Sequence, residues 1–188
     1  MADAAREILD SAWSARRAAF ELPEGAQREA LASVRDDLTR AAGLLRSTDR
    51  TVDYAHALHL GAHVAMDVDD LEAAEAGWRE AVELLRQAGE PLQLAHKLRH
   101  LGDLEMNRDA LDAAGDHYAE ALALYREHGD SADLSYVNAV RRVAVLAERR
   151  GDVDEARAYW TEARDRYAEV GVREGVEEAE GRLEELGG

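Results

Sequence analysis

The feature that most constrains this chain is that it repeats itself roughly every 40 residues. Displaced by 40, Leu71, Ala74, Trp78, Glu80, Ala81, Leu84, Arg86 and Gly89 fall on Leu111, Ala114, Tyr118, Glu120, Ala121, Leu124, Arg126 and Gly129. The same displacement backwards sets Leu31, Leu38, Ala41, Leu44, Leu45 and Arg46 on the second copy. Forwards the interval widens to 42, and Val153, Ala156, Trp160, Ala163, Tyr167 and Gly171 continue the series. Four units result, at approximately 1–49, 50–89, 90–129 and 130–171, with 172–188 left over. A period of this size marks an array in which each unit buries its apolar face only by stacking on its neighbours.

Each unit reads as two helices. In the third, Leu94, Leu98, Leu101 and Leu104 recur at helical spacing, and Asp109 offers an N-cap for a second apolar series. That series is Leu111, Ala114, Tyr118, Ala121, Leu122 and Tyr125, and Gly129 stops it as a C-cap glycine would, as do Gly89 and Gly171 in the flanking units. In the first unit Pro23 marks a break and a restart. Two helices of about 17 to 20 residues with tight turns fill the period and leave no room for a strand. The composition agrees, with 2 Pro in 188 residues and an abundance of good helix formers. The predicted class is all-α.

Leu98, Leu101 and Gly102, followed by Ala114, Tyr118 and Ala121, resemble the tetratricopeptide repeat. The fourth unit shows Val143, Ala144, Gly151, Ala156, Trp160 and Ala163 in the same register, and the second shows Ala74, Trp78 and Ala81. The family's usual length is 34, its first-helix Tyr is Glu105 here and its closing Pro is Arg126. These departures point to a longer-helix type with a repeat of about 40 residues. The resemblance implies a single domain, 1–188: an α-α superhelix of four helix pairs with a C-terminal capping helix. The cap, 172–188, carries Val172, Val176, Leu183 and Leu186 among many glutamates, and the first helix closes the other end with Ile8, Leu9, Trp13 and Phe20. Small residues Ala74, Ala114 and Ala156 let paired helices approach, and Trp78, Tyr118 and Trp160 fill the space between them. A ligand-stacking row is the alternative use of those three aromatics.

Charge excludes several functions. The net charge is −17 and the pI near 4.8, which disfavours nucleic acid and anionic membrane surfaces. No apolar run approaches the roughly 18 residues of a membrane span. The acidic N-terminal stretch does not read as a signal peptide. There is no Cys, so disulfides and thiolate metal sites are ruled out. A cytoplasmic, bacterial-type protein without a cofactor is expected.

In tetratricopeptide arrays the first helix of each pair lines a concave groove and the second lies outside. Residues 69–88, 109–128, 152–171 and 172–188 carry −4, −4, −3 and −4, whereas the first helices, 51–67, 90–107 and 130–150, carry −2, −1 and +1. The groove is thus the least acidic surface, and five of seven histidines fall there. His56, His59 and His63 form one stripe, and His96 and His100 lie beside Arg99 and Asp103 on the next first helix. Asn138, Arg141, Arg142 and Arg149 follow on the third. His56 aligns with His96, so both stripes are expected to face one groove.

Three readings compete for these residues. One is a plain solvated surface. A second is a recognition groove in which Arg99, Arg141 and Arg142 pair the carboxylates of an acidic or C-terminal peptide segment, while histidines add donors that strengthen below about pH 6.5. A third is a metal site on His56, His59 and His63, with His100 or Asp103. No nucleophile elbow, phosphate loop, dinucleotide fingerprint or HExxH is present. The expected function is a non-catalytic protein- or peptide-binding module, with homodimerisation as the rival.

Overall fold

A computed structural model of the chain describes residues 2–129 and 133–187, and every regular element among them is a helix. The helices are α1 (Ala2–Ala19), α2 (Glu24–Leu45), α3 (Thr51–Asp67), α4 (Leu71–Ala88), α5 (Pro91–Asn107), α6 (Leu111–His128), α7 (Leu134–Arg150), α8 (Val153–Glu169) and α9 (Arg173–Gly187). They form the four pairs and the cap expected from the repeat. The start of the fourth predicted unit, residues 130–132, lies outside the described residues. The chain divides into two compact units, Met1–Glu90 with α1–α4 and Pro91–Gly188 with α5–α9.

The turns inside and between pairs explain why the repeat is so regular. Gly89, Gly151 and Gly171 take left-handed φ values of 71°, 79° and 74°. The amide after each glycine donates back into the helix just ended: Glu90 to Leu85, Asp152 to Ala147 and Val172 to Tyr167. Asp69 and Asp109 do the same job at φ 61°, with Asp70 donating to Ala65 and Ala110 to Glu105. This corrects the expected role of Asp109. It is the left-handed turn residue, Ala110 holds the N-cap position without a side-chain bond, and the Asp109 carboxylate instead takes Arg149. Gly129 ends α6 in extended backbone rather than left-handed; a Cβ there would crowd the Tyr125 carbonyl. Pro23 caps α2 as expected.

In the first unit Ala5, Leu9, Ala12 and Ala19 of α1 pack with Leu31, Leu38, Ala41 and Leu45 of α2 and with Tyr54, Ala57, Leu60 and Val64 of α3. Trp13 and Phe20 do not close the end as expected; they are 44% and 49% exposed. The buried positions 5, 9, 12 and 19 follow the helical period, which leaves 13 and 20 on the flank. In the second unit Met106, Ala114, Tyr118 and Leu146 are buried together against Leu111, Val143 and Val145.

Within the second, third and fourth pairs an Ala on the second helix lets the partner helix come close, and the aromatic four residues on is sealed in; the first pair has Val34 and Leu38 there instead. Trp78, Tyr118 and Trp160 are 2%, 1% and 0% exposed, which makes them core and not a stacking row for a ligand. Gly102 is the sharpest case, because a Cβ on it would overlap the Tyr118 ring. One polar contact recurs 82 residues apart, in the pairs α3/α4 and α7/α8. Tyr54 donates to Glu80 at 2.6 Å, and Tyr136 donates to Glu162 at 2.5 Å.

Gly102→Ala therefore costs about 1–3 kcal/mol of stability by overpacking, although alanine is the better helix former. Gly43, with nothing within 4 Å of its would-be Cβ, behaves oppositely, and Gly43→Ala stabilises by up to about 1 kcal/mol. Urea denaturation of both variants checks the contrast.

Candidate functional site

The candidate residues fall into two clusters, one in each compact unit. In the first unit α3 presents His56, His59 and His63 along one stripe. His59 is buried, and its Nδ1 accepts from Trp78 Nε1 at 3.1 Å. A neutral ring that accepts at Nδ1 carries its proton on Nε2, so in this state neither nitrogen offers a free lone pair to a metal. His56 stacks on His59 with centroids 6.3 Å apart. His63 stands edge-on to His59, Trp78 and Trp13, at 4.6, 5.4 and 5.6 Å. Arg16 lies over Trp13 at 4.8 Å and closes a two-point ion pair with Asp67, at 2.5 and 2.7 Å. The stripe is therefore half of an aromatic cluster that joins α1, α3 and α4.

In the second unit the centre is Asp103 on α5. Its Oδ1 accepts from the Tyr118 hydroxyl of α6 at 2.7 Å and forms an ion pair with Arg142 Nε of α7 at 3.0 Å. Its Oδ2 takes Arg99 Nη1 at 3.1 Å. Arg99 Nη2 donates to His100 Nε2 at 2.8 Å, while Arg99 Nε is buried without a hydrogen-bond partner. His96 meets His100 edge to face at 4.9 Å. His59 and His100 thus both act as acceptors, where extra donors were expected of them, and protonation would remove the bonds they now receive.

The remaining predicted residues lie on α7. Asn138 accepts from the Tyr167 hydroxyl of α8 at 2.7 Å. Arg141 grips Glu178 of α9 with both Nε, at 2.6 Å, and Nη2. Arg149 bonds the Met106 carbonyl and Asp109, both at 2.6 Å, and so braces the α5–α6 turn. Each of the four predicted arginines already holds a carboxylate of its own chain. Glu178 is the partner that sequence reasoning missed, since nothing separates it from the other five glutamates of α9 until the fold brings it to Arg141.

The electrostatics follow from burial. Tyr118 has its pKa raised well above the ordinary tyrosine value, first by burial and then by the charge and hydrogen bond of Asp103. Tyr125 is pushed up to about 12, chiefly by burial. Arg141 is held charged by its bond to Glu178. Lys97, the one lysine, is 3% exposed, and burial followed by the repulsion of Arg99 lowers it to about 8.

Comparison with known proteins finds residues 31–172 matching the family described as SNAP, soluble NSF attachment protein. Among curated protein sequences none matches the chain. Solved structures similar to it include BtubC (BKLC) from P. vanneervenii, at TM-score 0.64 and 16% identity over 97% of this chain and 89% of that one. Aspartyl phosphate phosphatase F from Bacillus subtilis aligns at TM-score 0.81 and 14% identity over 95% of this chain but 44% of the phosphatase, so the chain spans under half of that protein. A putative kinesin light chain from Podosopora anserina with TPR-like repeats aligns at TM-score 0.65 and 12% identity, over 96% and 93% of the two chains. The likeness establishes the TPR-like helical repeat.

The lowered pKa of Lys97 sets a pH dependence. Between about pH 8 and 10.5 the unfolded chain binds a proton that the folded chain has lost, so stability rises with pH through that window. Below it the burial penalty is present in full. Lys97→Met is expected to stabilise the protein on the order of 3 kcal/mol at pH 7. The rise in wild-type stability from pH 8 to 10.5 should then be missing from the variant's denaturation curves.

Proposed function

The chain belongs to the soluble NSF attachment protein family, and on that premise we propose that it is a non-catalytic interaction module. Its first-helix residues bind a protein or peptide partner, recognising an acidic segment of it. The observation that carries this reading is the guanidinium cluster of the second unit. Arg99, Arg141 and Arg142 stand on α5 and α7 in a chain of net charge −17, each in a geometry that already accepts a carboxylate. Planar guanidinium forks suit bidentate carboxylate recognition. The family is named for attachment to another protein, which supports the same role, as do the TPR-like repeats of the kinesin light chain structure.

Catalysis fits the arrangement poorly. The two carboxylates of the cluster, Asp103 and Glu178, are each paired with guanidinium groups of the same chain, so the arrangement reads as an ion-pair network. The proposal takes residues 1–188 as one functional domain working in the cytoplasm. No described helix is long and apolar enough to cross a membrane.

Reversing the charge with Arg141→Glu and Arg142→Glu together should weaken capture of the chain's binding partners at least about tenfold. Far-ultraviolet circular dichroism of the same variant should still report a folded helical protein. Unaltered capture by a folded variant would end this reading. A wild-type dimer that survives dilution to nanomolar concentration in analytical ultracentrifugation would favour self-association instead.

A further inference from the structure

The two ends of the Arg141–Glu178 pair belong to helices of opposite charge. The α7 helix carries four arginines against one glutamate, and α9 carries six glutamates against two arginines. Seven residues of α7 are buried, whereas α9 buries only Gly175 and Ala179, the former because a Cβ there would run into the Tyr167 ring. Val176, Leu183 and Leu186 are partly buried, and two polar links are added to them. Glu178 reaches back to Arg141, and Arg182 reaches back to Glu148 at 2.7 Å, a carboxylate that also takes the Trp160 indole N–H.

The pair is well formed but not sealed. Both Arg141 nitrogens engage the Glu178 carboxylate, yet the arginine side chain is 26% exposed and the glutamate 37%. Ion pairs open to water in this way contribute little to stability, because solvent replaces the partner at small cost. The buried contacts of α9, at Gly175 against Tyr167 and at Ala179, do not involve the Glu178 side chain. With Glu178 turned away, Arg141 would present an empty two-point fork next in sequence to Arg142, which pairs with Asp103 at 3.0 Å.

Building on the acidic-segment reading above, we infer that Arg141 is a carboxylate-binding subsite which the chain fills in cis with Glu178, and that an acidic peptide takes the subsite by exchanging one of its own carboxylates for Glu178. Glu178 is thereby a built-in competitor. It keeps Arg141 oriented and neutralised while the site is empty, and it lowers apparent affinity by the fraction of time the fork is occupied. Exchange also selects the ligand. A peptide must bring a carboxylate able to make both bonds, since one that merely covers the site leaves Arg141 with Glu178.

The test uses the full chain and a fluorescein-labelled oligoglutamate peptide, with binding read by fluorescence anisotropy at low ionic strength. Glu178→Ala should tighten binding about fivefold. Glu177→Ala removes the same charge from the same helix but leaves Arg141 untouched, since Glu177 pairs with Arg173 at 3.3 Å; it should change binding less than about twofold. Arg141→Gln should weaken binding, and Glu178→Ala should bring no further gain in that background. Equal tightening by Glu178→Ala and Glu177→Ala would overturn the inference, because net charge alone would explain it. Weakening by Arg141→Gln without tightening by Glu178→Ala would overturn the competitor role and leave the acidic-segment reading standing. No binding by the wild type and by Glu178→Ala would overturn both.

Discussion

The contact on which the rest depends is the sealing of one large aromatic side chain between the two helices of a pair. An alanine four residues earlier lets the backbones close in, and the ring fills the remaining volume at native packing density. Each of these rings also has a polar tip, which cannot be buried unsatisfied. Trp78 donates to His59, Tyr118 to Asp103 and Trp160 to Glu148, in every case a residue on the first helix of the same pair. The buried aromatic therefore dictates a polar acceptor on the opposing helix. That acceptor is where the polar networks of the two units begin.

From these acceptors the arginines spread outward. Within the first unit Arg16 joins α1 to Asp67 of α3. Within the second, Arg142 joins α7 to Asp103 of α5, and Arg141 joins α7 to Glu178 of α9. Within each unit, α1 with α3 and α5 with α7 are thus tied by guanidinium–carboxylate pairs as well as by apolar packing. Such pairs add modestly to stability, but they fix the direction in which each charged fork points. Under the proposed reading, a surface for acidic ligands built this way would work by exchange of carboxylates and not by bare positive charge, which an overall acidic chain could not sustain.

Much of the fold was legible because it rests on periodic, local rules. Gly89, Gly151 and Gly171 stop helices where their left-handed backbone is needed, and Ala74, Ala114 and Ala156 repeat because two helices must touch there. The misreadings came where two local signals compete. Asp109 looks like an N-cap by type, yet it takes the left-handed turn position one residue earlier, a place short polar side chains tolerate. Trp13 and Phe20 look like core by hydrophobicity, yet the buried face of α1 follows its alanines. The part that His59 and His63 play as acceptor and ring partners to Trp78 and Trp13 depends on other helices.

What the sequence by itself determined was the all-helical repeat and the segregation of acid onto the second helices and the cap, because each follows from residue type and spacing along the chain. What only the tertiary structure decided was who holds whom. Arg141 and Glu178 lie 37 residues apart, Arg142 and Asp103 lie on different pairs, and His59 meets Trp78 across a helix interface. Spacing sets which face a charged side chain occupies, but the identity of its counter-charge depends on distances of a few ångströms between elements that only packing brings together.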